Sequence, residues 1–271
     1  MRLISFLLYL ITINFCLSQQ EFFENKTEKQ LYNFNAFKSG EKLEYRLNYG
    51  FFNASYASLT LKDEVLDGKK VLRATSIGRT TGLARLFFKV DDIYETFFPK
   101  EKVKPVKSIR DIYEGGYERE AETIYDYKNN KALFYDKLKN IKKEFDIHPD
   151  IQDIISTFYY LRKHFDIASL KPNDLIYVDI FFDEEIYPFK MMFLGIERIK
   201  TKFGIVECMK LRPYMESGRV FRDNEGIKIW VTNDDNRVPI KVKADLRVGS
   251  IVANLVSFRG LANPFRIVVN E

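Results

Sequence analysis

Apolar and polar side chains alternate with a period of two over most of this chain. In "SGEKLEYRLNYG", Leu43, Tyr45, Leu47 and Tyr49 share one face, while Glu44, Arg46 and Asn48 share the other. Near the end, "PIKVKADLRVGS" (residues 239–250) repeats the pattern. Ile240, Val242, Ala244, Leu246 and Val248 lie on one side, Lys241, Lys243, Asp245 and Arg247 on the other. Successive side chains of a strand point to opposite faces, so both stretches read as half-buried strands. Asp67-Gly68, Gly115-Gly116, Asn129-Asn130 and the stretches 202–204 and 234–237 supply turn chemistry between such runs. Ten or more strands in hairpin order follow, which predicts a mainly β protein built as a single large antiparallel meander.

One segment changes period. In "HPDIQDIISTFYYLRKHF", Ile151, Ile154, Ile155, Phe158, Leu161 and Phe165 recur at helical spacing. Pro149 suits a first turn, Asp150 and Asp153 favour the helix N-terminus, and Arg162, Lys163 and His164 favour the C-terminus. The expected helix covers about 150–165, roughly four turns at 3.6 residues each. A shorter helical turn is expected in "TTGLARLFFKV". A large sheet twists and curls, and must either close or be covered. The expectation is a barrel or half-barrel with the 150–165 helix as its lid or plug.

The two ends of the chain read differently. "MRLISFLLYLITINFCLS" carries one early cation, Arg2, an apolar run from Leu3 to Ile13, and small residues Cys16 and Ser18 before Gln19. That is the pattern of a secretory signal peptide over residues 1–18. The apolar run is shorter than the ~20 residues of a membrane span. Phe15 argues against lipidation at Cys16, because lipoprotein signals want a small residue there. Residues 19–38 read as a linker or docking segment, 39–260 as one β-rich domain, and 261–271 as a C-terminal tail. No other segment has the length and hydropathy to span as a helix once the leader is removed. The mature chain is expected to be soluble and exported.

Charge changes little in this picture. Loss of Arg2 takes the net charge from +5 to +4, with both signs interspersed, so nucleic acid is not an expected partner. Beyond the leader only Cys208 remains, in the apolar stretch "GIVECMKL", and it reads as a buried small hydrophobe. An exported fold with one thiol has no internal disulfide and depends on its core.

Several stretches carry a family likeness. "SGEKLEYRLNYGFFNASYASLTL", "VDDIYETFF", "YEGGYERE", "DIISTFYYLR" and "IWVTNDDNRVPIKVKADLRVGSI" resemble, in order, the bacterial exported family catalogued as domain of unknown function 3108. The likeness spans about residues 38–258. It implies an exported protein of a Gram-negative bacterium of the Bacteroidota, with a mainly antiparallel β fold similar to the open barrels that carry lipoproteins. It supplies no catalytic residues.

The residues themselves offer little chemistry. His148 and His164 stand at opposite ends of the expected helix, over 20 Å apart at ~1.5 Å per residue, so they do not share a metal or an active site. "NDDNR" at 233–237 has turn composition without calcium-loop spacing. Nucleophile elbows, phosphate loops and dinucleotide fingerprints are absent. No cofactor and no metal is expected. Asp91, Asp92 and Glu95, or Glu114, Glu118 and Glu120, are the candidate carboxylates for glycoside chemistry, but as strand residues alternating with apolar neighbours they read as a solvated face.

What remains is the concave apolar side. A noncatalytic envelope protein would bind an apolar ligand, a lipid or acyl chain, or an envelope protein there. The candidate lining is Leu43, Tyr45, Leu47, Ile154, Phe158, Leu161, Trp230, Ile240, Val242 and Leu246. Against this stands the reading that the same residues pack on one another as a dry core. Trp230 in turn reads either as a contact platform or as an aromatic partly covered by long charged side chains. The alternatives are a structural protein–protein interaction module of the cell envelope and a carboxylate-dependent carbohydrate-active enzyme. A cavity of several hundred Å³ would favour the ligand reading. A filled core with an exposed apolar patch would favour docking.

Overall fold

The alternating runs become strands because each can bury one face while its polar partners stay in water. The computed structural model describes residues 33–166, 169–214, 226–246 and 248–269. The leader and most of the 19–38 segment lie outside these residues. Fourteen strands form one sheet: β1 Lys42–Tyr49, β2 Phe52–Leu66, β3 Lys69–Thr80, β4 Val90–Phe98, β5 Lys107–Glu114, β6 Tyr117–Asp126, β7 Lys131–Asp136, β8 Ile141–Asp146, β9 Leu175–Phe182, β10 Glu185–Thr201, β11 Gly204–Tyr214, β12 Ile227–Thr232, β13 Pro239–Asp245 and β14 Ser250–Arg259. Among the described residues two helices interrupt them, α1 Gly82–Phe87 and α2 Ile154–His164.

The strand order is β8-β7-β6-β5-β4-β3-β2-β1-β14-β13-β12-β11-β10-β9, antiparallel throughout. Two meanders therefore meet at the β1–β14 pair, and the chain crosses from one sheet edge, β8, to the other, β9, through α2. Asp67 and Gly68, and likewise Gly115 and Gly116, all have positive φ, as tight hairpins require.

The sheet is not closed by a ladder. The stretch before α2 covers the β9 edge instead: Gln152 N–H donates to Asp179 O at 3.0 Å, and Gln152 O accepts from Phe181 N–H at 2.8 Å. This extended pairing corrects the expected helix start. The helix begins at Ile154, capped by Asp153, whose side chain accepts from Ser156 N–H at 2.7 Å while Ser156 Oγ accepts from Asp153 N–H at 2.8 Å. Eleven residues, about three turns, replace the four expected.

The helix lies within the curl as a plug. Ile155, Tyr159 and Tyr160 pack with Leu43, Leu61, Leu72 and Phe98 from β1–β4, and with Val178 and Ile180 from β9. Phe37 joins them, its ring 4.9 Å from Tyr159. At the other end of the chain, Leu261 and Phe265 pack on the same core and Val268 bridges Ile205.

Candidate functional site

The plug is locked by a buried ion pair. Arg162, in the last turn of α2, donates to both oxygens of Glu41, Nη1 to Oε1 at 2.6 Å and Nη2 to Oε2 at 2.7 Å. It also donates to Ala36 O at 2.8 Å and Asn236 O at 2.9 Å. Side-chain exposure is 3% for Arg162 and 1% for Glu41. Burial works against the guanidinium charge, but Glu41 more than offsets it, and the Arg162 pKa is raised. Three distant segments, residues 36–41, α2 and the 234–237 turn, thus converge on one side chain. Both residues sit in phase with apolar faces, Glu41 with Leu43 and Tyr45, Arg162 with Ile155 and Phe158. That in-phase charge is the signal in the sequence that could have marked them.

A second polar cluster replaces the missing ladder at the open side. The β9–β10 turn uses Asp183 and Glu184, both at positive φ, where Asn-Gly would be relaxed. Asp183 accepts from Arg110 at 3.0 Å and from Arg119 at 2.8 Å, and Glu184 pairs with Lys143. The turn is thereby fixed to β5, β6 and β8. The cavity beneath, lined by Tyr94, Arg110, Asp153 and Phe181 among others, measures about 30 Å³, room for a water or two.

Three of the candidate carboxylates depart from the solvated reading. Asp92, Glu95 and Glu114 are buried. Glu95 accepts from Arg73 at 2.6 Å and Thr75 at 3.0 Å. Asp92 has its pKa raised, first by burial and then by the neighbouring Glu114 charge. Desolvation penalises the Asp92 carboxylate charge, and the adjacent Glu114 carboxylate adds to that penalty. Both residues are in phase with Tyr94 and Ile112, a position that sequence alternation assigns inward.

Of the residues expected to line a pocket, Leu43, Trp230 and Ile240 are buried in the main core cluster, and Tyr45, Ile154, Phe158 and Leu161 pack against it. Leu47 and Val242 share a row through Ala253, nearer the β1–β2 and β13–β14 turns, and Leu246 is buried beside the latter. Ile240 also lines a half-open groove of about 250 Å³ with Ile199, Leu255, Lys202 and Lys241. Both volumes fall below the roughly 300–1,000 Å³ of small-molecule pockets. Trp230 lies under Lys210 and Lys241, whose ammonium groups are 5.4 and 5.1 Å from the ring, and donates to Glu197 at 3.2 Å. Cys208 is fully buried, its thiol pushed up to about 12 by burial. Asp234 organises the 234–237 turn, accepting from Thr232 Oγ1 at 2.7 Å and from the amides of Asn236 and Arg237.

One end of the sheet carries a feature the alternation did not reveal. Phe51 is fully exposed at the β1–β2 turn, with Phe52 next to it. On one side stands Val248 of the β13–β14 turn, whose carbonyl accepts from Tyr49 OH at 3.0 Å. On the other stands α1, held against β2 by Thr81 N–H donating to Ala54 O. No α1 residue is buried, and Leu86 and Phe87 are 80% and 81% exposed. The helix is nevertheless fixed in place. Arg85 donates to Asp91 at 3.0 and 2.7 Å, and Val90 N–H donates to Thr80 Oγ1 at 2.9 Å. The Phe88 ring sits where Gly115 leaves room, since a Cβ there would lie 2.2 Å from it. The result is an apolar rim of exposed side chains at one end of the sheet, carried on two turns and an anchored helix. A short exposed helix between two hairpins has no period of its own, so the sequence marks its presence but not its neighbours.

A curled antiparallel sheet plugged by a helix and ending in an apolar rim defines a barrel-like, open-sheet class. The chain belongs to the DUF3108 family, described as a protein of unknown function, whose model matches residues 44–256. Among solved structures it is similar to a β-barrel-like protein of DUF1849 from Brucella abortus, with 11% identity, a TM-score of 0.52, and coverage of 83% of this chain and 99% of that one. That likeness shows the fold. It also matches a DUF1089 family protein from Pseudomonas aeruginosa (13% identity, TM-score 0.39, 70% and 89% coverage). A third match is a candidate exported protein with a YmcC-like fold from Bacteroides fragilis (9%, 0.32, 84% and 99%). None of the curated proteins matches the chain. Among the described residues, no helix is long and apolar enough to cross a membrane.

Proposed function

We propose that this chain is a noncatalytic exported protein of the bacterial envelope that works by docking an envelope component through the rim formed by Phe51, Phe52, Leu83, Leu86, Phe87 and Val248. The observation that carries this reading is the contrast between inside and outside. Seven of the ten expected ligand-lining side chains lie in or against the core that holds α2, while large apolar side chains stand in water at one end. Leaving a Leu or Phe exposed forgoes about 1.5–3 kcal/mol each, so a fixed cluster of them points to a surface that is covered in use. The leader-like residues 1–18 support export, with the mature chain beginning at Gln19 and located in the periplasm or on the periplasmic face of the outer membrane. Shelter of an apolar ligand is the second reading, supported by the groove that Ile240 lines.

A photo-crosslinking residue placed at Phe51 in the cells of origin tests the proposal. Adducts to an envelope component are expected there and not from the same residue at Val65, an exposed apolar position at the opposite end of β2. Equal labelling from both positions overturns docking. A lipid co-purifying from the groove, displaced by Ile240→Trp, would establish the second reading instead.

A further inference from the structure

We infer that the rim's partner is an anionic lipid surface. The inference rests on the docking reading and adds what lies behind the rim. Cross-strand register aligns one row over the outer sheet face: Lys241 opposite Asn254, Asn254 opposite Arg46, Arg46 opposite Tyr56, Tyr56 opposite Arg79, Arg79 opposite Asp91, and Asp91 opposite Tyr113. Arg46 is four residues from the Gly50 turn, roughly 13 Å at ~3.3 Å per residue. Side chains of Phe51, Leu86 and Phe87 immersed among acyl chains would hold this row at headgroup depth.

The row has the composition that depth selects. Tyr is enriched at membrane–water interfaces, where an apolar ring with a polar tip is at home in both media, and Tyr56 stands exposed in this row. Lys and Arg there meet lipid phosphates. Around Asp91 the imbalance is explicit. Arg85 lies 2.7 Å, Arg79 3.5 Å and Lys89 3.6 Å from that one carboxylate, leaving two positive charges in excess. Arg46 and Lys241 extend the cationic side across the sheet, each stacked near an aromatic ring. A protein partner would be expected to complement an apolar rim with a shaped groove. A bilayer asks only for apolar tips with an aromatic and cationic belt behind them, and that is the arrangement present.

Flotation of the mature chain, purified from its own cells, with phosphatidylcholine vesicles and with phosphatidylcholine–phosphatidylglycerol vesicles tests this. The wild type should float with the anionic vesicles, less in high salt, and poorly with phosphatidylcholine alone. Leu86→Glu/Phe87→Glu should weaken partition by at least about a hundredfold, two large side chains no longer being buried, while Val65→Glu should leave it unchanged. Arg79→Gln/Lys89→Gln should remove the preference for anionic vesicles while the rim stays intact. These positions are solvent-facing, so unchanged thermal melting verifies folding of each variant. Failure of the wild type to float with anionic vesicles, or flotation of the Leu86/Phe87 variant at wild-type level, overturns the inference. If flotation fails while the crosslinker at Phe51 captures an envelope protein, the lipid surface is wrong and docking stands; if both fail, both readings fall.

Discussion

Glu41→Ala is the sharpest test of the plugged architecture. The substitution removes both acceptors from a guanidinium that is almost wholly out of water. Two hydrogen bonds to a charged group are worth ~1.5–3 kcal/mol each, and breaking a buried pair by deleting one partner costs about 3–5 kcal/mol. Water cannot readily replace the lost oxygens, because the Phe37, Phe158 and Tyr159 rings lie 5.0–5.6 Å from the Arg162 carbon. For a domain of this size each kcal/mol shifts Tm by roughly 2–4 °C, so a fall of about 6–20 °C is expected by differential scanning calorimetry. The pair also makes a second, opposite prediction. Glu41→Met/Arg162→Met removes both charges, and apolar replacement of a buried pair is often neutral or stabilising. The double variant should therefore melt above the Glu41→Ala single variant. A Glu41→Ala protein within about 3 °C of wild type would show that α2 is not fixed by this pair. A double variant no better than the single one would show that the loss comes from packing instead of stranded charge.

Asp92, buried beside the Glu114 carboxylate, makes stability fall with rising pH. The Asp92 pKa is raised from 3.8 up to about 8 in the fold, so its contribution is fully present below about 4 and is lost as pH rises through about 8. Within that window the slope is ~1.4 kcal/mol per pH unit, and Asp92→Asn should flatten it in urea titrations at pH 5, 7 and 9. Asp153→Ala should cost about 1–2 kcal/mol through loss of the α2 cap, with Thr96 also losing its acceptor. A chemical-denaturation midpoint equal to wild type would count against that cap. Gly115→Ala combines a left-handed backbone with a Cβ overlapping Phe88, so a loss of roughly 1–3 kcal/mol is expected, with faster amide exchange in α1 than in α2. Unchanged exchange in α1 would separate the helix from its Phe88 anchor.

Much of this fold was legible in the sequence because its physical cause is local. Period-two alternation needs only neighbouring residues, so Leu43, Tyr45 and Ala244 were assigned inward without knowing which strand they would face. Asp67-Gly68 and Gly115-Gly116 fixed their hairpins for the same reason. The α2 pattern was visible, but its start was not, because residues 150–153 are withdrawn from the helix by pairing of Gln152 with β9, a strand more than twenty residues later. The carboxylates of Asp92, Glu95 and Glu114 were misread for a related reason. Alternation tells which residues share a face, whereas burial depends on what covers it.

The sequence by itself determined strands, turns, the amphipathic helix and a leader-like start, all set by composition and spacing within a few residues. Only the tertiary structure decided that α2 fills the curl, that Arg162 meets Glu41 across 121 residues, and that Phe51, Leu86 and Val248 gather at one end. The physical reason is that burial and charge pairing are properties of three-dimensional neighbours. Chain topology places those neighbours by joining the β1 and β14 strands, and no local pattern records that juncture.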